Sequence, residues 1–215
     1  MDTSELLRRA TVLIPDNARS DAGFGAVDVH DCLRQDEWEV ALDILEDFDG
    51  VPWQTVEYWD LLAEAARQMY LERKAAWCRW RGWETRHGVI RADLRLVAPE
   101  AGGRRTPIPG DGRLRPMWAL GQSASGGRGD LHVAKIWVEF APALEPGGRG
   151  SVRLAPLTPP SWRHLAPGDS ITMHERSPVA GTATITEMRR PTVIATGDDR
   201  VLRRGGADTV RRRRK

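Results

Sequence analysis

The residue types best suited to chemistry gather in one pentapeptide, DVHDC, running from Asp28 to Cys32. On a helix, Asp28, Asp31 and Cys32 stand at i, i+3 and i+4 and share one edge. His30 lies about 200° around the helix from Asp28 and does not join them. No second His or Cys nearby has metal-ligand spacing. The other histidines, His87, His132, His164 and His174, form no HxH, HExxH or HxxxH pair, and there is no GxSxG. The reading is therefore of a chain that is not an enzyme, with no catalytic, cofactor or metal residues. An active site assembled between distant segments stands as an alternative.

A second stretch, EAGGRRTPIPGDGRLRPMW (Glu100 to Trp118), places glycines among Arg104, Arg105, Arg113 and Arg115. Glycines with cations suggest a phosphate-gripping loop. A P-loop, however, needs GxxxxGK[ST], so that a lysine and a hydroxyl serve the phosphates and Mg²⁺. The three lysines, Lys74, Lys135 and Lys215, do not follow a glycine. No nucleotide is expected, and the loop reads mainly as a strand connection.

These residues need elements to hold them. The first 87 residues read as helices: one from Ser4 to Ile14, one from about Phe24 to Leu33, and a third behind a capping box of Asp36 and Glu39. In that third helix Trp38, Ala41, Leu42, Leu45 and Phe48 recur at helical spacing. Val56, Trp59, Leu62, Ala63, Ala66 and Met69 mark a fourth helix, and Ala76, Trp77, Trp80 and Trp83 a fifth. At Gly88 the period changes to two: Ile90, Ala92, Leu94 and Leu96 alternate with charged residues. Five further strand candidates follow, 116–120, 132–140, 152–157, 170–175 and 182–188, punctuated by glycine-rich turns. Strands without intervening helices predict an antiparallel barrel or sandwich. The fold class is thus α+β: an acidic all-α part over 1–87, a β part over 88–188 and a basic, disordered tail over 189–215.

The stretch from Leu94 to Trp118 resembles the start of the C-terminal β-barrel of elongation factor Tu. The matching features are Glu100, Gly102-Gly103-Arg104, Thr106-Pro107 and Arg115-Pro116. LAPGDSITM (Leu165 to Met173) and VAGTATITEM (Val179 to Met188) are similar to later turns and strands of that barrel. The resemblance implies six antiparallel strands without GTPase activity, which belongs to a separate domain. It also implies contacts with RNA or protein, for which Arg104, Arg105, Arg113 and Arg115 are candidates. The insert Gly121–Asp130 departs from the family.

Charge supplies the functional expectation. Residues 1–87 carry 10 basic and 18 acidic side chains, for −8; residues 88–188 sum to +3 and residues 189–215 to +7. Such asymmetry speaks about partners. Ten acids and no Lys or Arg lie between Gln35 and Ala66, among them Asp49. On the third helix Glu39, Asp43, Glu46 and Asp47 are placed opposite the apolar side. Like charges one turn apart weaken a helix, yet together they attract a basic partner. VHDCLRQDEWEVALDILEDF is also similar to small helical bacterial immunity proteins, which neutralise a toxin. The resulting expectation is a non-enzymatic, immunity- or antitoxin-like protein that engages a basic protein through this face. The alternative is an RNA- or translation-associated module using the barrel arginines and the tail. No stretch is apolar enough for a membrane span or a secretory signal. Cys32 and Cys78 make no CxxC, so a reducing cytoplasm is expected.

Overall fold

The computed structural model describes residues 1–48, 53–121, 130–175 and 178–191. Asp49, most of the Gly121–Asp130 insert and the tail beyond Pro191 lie outside the described residues. The five expected helices are α1 (Thr3–Val12), α2 (Ala26–Arg34), α3 (Trp38–Glu46), α4 (Val56–Gln68) and α5 (Glu72–His87). Asp2, two residues before Ser4, caps α1: its side chain accepts the Glu5 N–H at 2.8 Å. Thr55 caps α4 by accepting the Tyr58 N–H at 3.2 Å. Leu7, Val29, Leu42, Leu45, Trp59 and Leu62 are buried together at the centre of these helices.

The capping box of Asp36 and Glu39 does not form. Asp36 instead adopts a left-handed backbone (φ +59°), and the Glu37 N–H donates to Cys32 O at 3.0 Å. This tight turn brings α3 back against α2 and takes Asp36 out of the N-cap position, which Glu37 fills without a side-chain bond.

The β part is a closed antiparallel barrel of six strands. They are β1 (Val89–Leu96), β3 (Met117–Ala119), β4 (Leu131–Val138), β6 (Arg149–Pro156), β7 (Ser170–His174) and β8 (Val179–Arg189), in the order β1-β6-β4-β3-β7-β8. Closure leaves no open sheet edge. Leu94, Trp118, Ile136, Val152, Leu154 and Ile171 fill the interior. Two short strands that the sequence does not reveal, β2 (Ile108–Pro109) and β5 (Ala143–Leu144), pair beside the barrel. Two residues are too few for a visible alternation.

The junction between helices and barrel is one residue long. Gly88 has φ +93°, and a Cβ there would stand 2.2 Å from Arg189 O. Only glycine turns the chain so sharply from α5 into β1 at that approach.

Candidate functional site

α5 lies between two layers. Ala75 and Cys78 face the helical core, while Trp77, Trp80 and Trp83 meet the barrel. Tryptophans at i, i+3 and i+6 share a face, and Trp137 and Ala155 on the barrel wall receive them. Trp77 and Trp80 approach Trp137 with ring centroids at 5.1 and 5.7 Å. Such pairs contribute about 0.5–1.5 kcal/mol each beyond the burial of their area.

The barrel's register builds the polar half of this junction. Glu187, Arg91, Arg153 and Trp137 fall in one row across β8, β1, β6 and β4. Arg91 and Arg153 are direct cross-strand neighbours, an arrangement unfavourable by itself. Glu139 resolves it: one carboxylate oxygen accepts Arg91 Nη2 at 2.9 Å and Arg153 Nε at 2.6 Å. From α5, Glu84 then takes Arg153 Nη1 at 2.8 Å, and Trp80 Nε1 donates to the same carboxylate at 2.9 Å. Arg81 Nε stands 3.4 Å from Glu84, and Arg91 Nη1 is 3.1 Å from Glu187. Glu187 also pairs with Arg189. The result is a chain of alternating charge from α5 across the barrel wall. Burial alone would lower the pKa of Arg153, but Glu84 and Glu139 outweigh that and hold it above its ordinary value.

The Glu100–Trp118 loop packs into this junction. Gly112 (φ +73°) has the Trp80 ring 3.0 Å and the Trp137 ring 3.2 Å from where a Cβ would be. Its glycines therefore serve close packing. Arg104 is held by Glu175 and by Thr106 O at 3.1 Å. Arg113 is 82% exposed beside Asp111, while Arg105 and Arg115 are exposed and make no ion pair among the described residues. The four arginines thus divide into one anchored and three solvent-facing side chains.

The four carboxylates of the acid face also divide. Glu39 is exposed, and Asp43 is exposed but paired with Lys74. Asp47 accepts the Ala22 N–H at 3.0 Å. Glu46 turns inward. Its carboxylate accepts from Cys78 Sγ at 3.1 Å, and Lys74 Nζ stands 4.0 Å away. Burial raises its pKa to about 7, partly opposed by the thiol bond. Sequence periodicity places Glu46 opposite the core because it sees one buried side of α3. Lys74 and Cys78 of α5 reach the other side. The exposed acids instead concentrate at the α2–α3 turn, where Asp36, Glu37 and Glu39 make no ion pair among the described residues.

DVHDC has structural duties. Asp28 Oδ2 accepts the Gly25 N–H at 2.7 Å at the start of α2, and Asp31 pairs with Arg34. Cys32 is half-buried, and burial, then Glu37, Asp28 and Asp31, push its thiol pKa up, away from nucleophilic thiolate. Among the described residues no three His, Cys, Asp or Glu side chains come together as metal ligands. No helix there is long and apolar enough to cross a membrane.

Two hollows flank α5. A groove of about 430 Å³ at its N-terminal end is lined by Glu46, Lys74, Trp77 and Trp137. A cleft of about 580 Å³ lies at its C-terminal end. Trp83, Arg86 and His87 of α5 face Pro159, Trp162 and Arg163 across it, with Ile90, Met188, Arg189 and Arg190 from the barrel side. Among the described residues no carboxylate lines this cleft. No protein-family model matches the chain, and no curated protein is significantly similar to it.

Proposed function

We propose that this is a non-enzymatic binding protein of the immunity or antitoxin kind, engaging a basic protein through its acidic helical surface. One observation carries the reading: Asp36, Glu37 and Glu39 are exposed together at the α2–α3 turn and have no cationic partner among the described residues. Uncompensated like charges cost local stability, and among the described residues none of the three side chains makes an ion pair or hydrogen bond. They project a negative field from a half of the chain that carries −8. Such a field raises the rate of encounter with a basic partner and selects against acidic ones.

The test is capture by the tagged full-length protein with RNase present, followed by titration of the recovered partner. Changing Glu37 and Glu39 to Lys and Asp36 to Asn should weaken capture at least tenfold at 0.1 M salt, and the loss should shrink at 0.5 M. All three side chains are exposed, so far-UV circular dichroism should not change. Unaltered capture would remove the acid surface from the function.

A second reading, an RNA- or translation-associated module, is favoured by the exposed Arg105, Arg113 and Arg115 on the barrel loop. Replacing the three with Ala should flatten the salt dependence of RNA binding. That set should leave capture of a basic protein untouched.

A further inference from the structure

We infer that the cleft at the C-terminal end of α5 is a binding site for one nucleotide unit of a single-stranded nucleic acid. The site is independent of the acid surface and distinct from the barrel-loop arginines. Its volume of about 580 Å³ falls within the range of small-ligand sites, roughly 300–1,000 Å³.

The charge of the lining selects the ligand. Arg86, Arg163, Arg189 and Arg190 all border the cleft, and among the described residues no Asp or Glu does. Arg189 is answered by Glu187, and Arg86 stands 3.7 Å from Asp60. Arg163 and Arg190 have no ion pair among the described residues. Two guanidinium groups are therefore available to an anion, and planar guanidinium suits phosphate.

The aromatic lining selects a base beside that phosphate. Trp83 is half-buried, and its ring lies against His87 with centroids 4.7 Å apart. Partial desolvation and then the neighbouring Arg86 lower the pKa of His87, which favours its neutral ring. The two rings, inclined by 39° to each other, offer an aromatic surface, and stacking on such a surface accepts every base. Across the cleft Trp162 is buried, and its Nε1 has no hydrogen-bond partner. Prolines 156, 159, 167 and 191 also line the space, which keeps its walls stiff. A duplex holds its bases stacked inside and cannot present one to this platform, whereas an unpaired strand can. The chain continues from Pro191 at the rim into residues 192–215, which carry eight basic and three acidic side chains.

The experiment is fluorescence anisotropy of the full-length protein with a labelled 12-nucleotide poly-U RNA, in parallel with a 12-base-pair RNA duplex and with UMP as competitor. Single strand should bind more tightly than duplex. Trp83→Leu should weaken it about tenfold, within the range for loss of one stacked base. Arg163→Glu with Arg190→Glu should weaken it further and lower the salt slope by about 1.4, the value for two single-strand phosphate contacts. Both arginines lie outside the packed cores, so this double variant folds even if Trp83→Leu does not. Competition by UMP with the same dependence on Arg163 and Arg190 supports the site and assigns free nucleotide as a second source of the ligand. Absence of binding would overturn the inference. So would equal affinity for duplex and single strand, or affinity indifferent to the arginine changes, because either places the binding on the tail or on general surface charge.

Discussion

Glu46 offers a quantitative check on how α3 sits against α5. A carboxyl moved from its ordinary 4.5 to about 7 on folding corresponds to about 3 kcal/mol. Lys74 Nζ at 4.0 Å favours the anion and reduces this, so about 2 kcal/mol is expected. Because the folded pKa is raised, the native state holds the proton that the unfolded chain has already released. Stability therefore falls as pH rises from about 4.5 to 7, and the loss is complete above 7. Glu46→Gln keeps the oxygen that accepts from Cys78 and removes the titration. At pH 5 the variant should lie within about 1 kcal/mol of the parent. At pH 8 it should be more stable by about 2 kcal/mol, which for a chain of this size raises Tm by about 4–8 °C. Thermal or urea unfolding of both proteins at pH 5, 6, 7 and 8 measures this. Contributions common to both, such as that of His87, drop out of the difference. A difference constant across pH would refute the inward placement of Glu46.

The junction yields further expectations. Arg153→Ala should destabilise by about 3–5 kcal/mol, because Glu84 and Glu139 would remain buried around an empty site; chemical denaturation measures it. Gly112→Ala should cost more than 1 kcal/mol, since its positive φ and the Trp80 ring both oppose a Cβ. Residues 88–191 expressed alone should give a β-type circular dichroism spectrum and a cooperative melt below that of the whole chain, with Trp137 fluorescence shifted toward that of a solvated indole. Absence of any cooperative melt would mean that the barrel requires α5.

Much of this architecture is legible in the amino-acid order. The change from period 3.6 to period 2 at Gly88 marks where α5 gives way to β1. The alternation in β1 and β6 identifies which side chains enter the barrel. The site residues are less legible, for a reason visible in Arg153. Its neighbours Val152 and Leu154 point inward, so alternation assigns Arg153 to the outside, where a charge attracts no notice. That outside is the surface α5 covers, and the register joining Arg153 to Glu84 spans 69 residues. Glu84, the one acid in a turn of α5 between Trp83 and Arg86, is the only local hint. The cleft shows the same limit: Trp83, Trp162 and Arg190 share no segment, and only barrel closure gathers them. Glu46 escaped because a one-sided helical wheel assumes one buried face, and α5 covers part of the other through Lys74 and Cys78.

The one-residue connection at Gly88 has a mechanical consequence. Exchange of a domain between two copies needs a hinge that can open, and a single glycine held against Arg189 O supplies none. The ring contacts of Trp77 and Trp80 with Trp137 and the Glu84–Arg153 pair join the helical and barrel halves across this connection. The acid turn between α2 and α3 and the cleft beside Trp83 thus lie on one packed body, and a partner touching both must match the spacing between them.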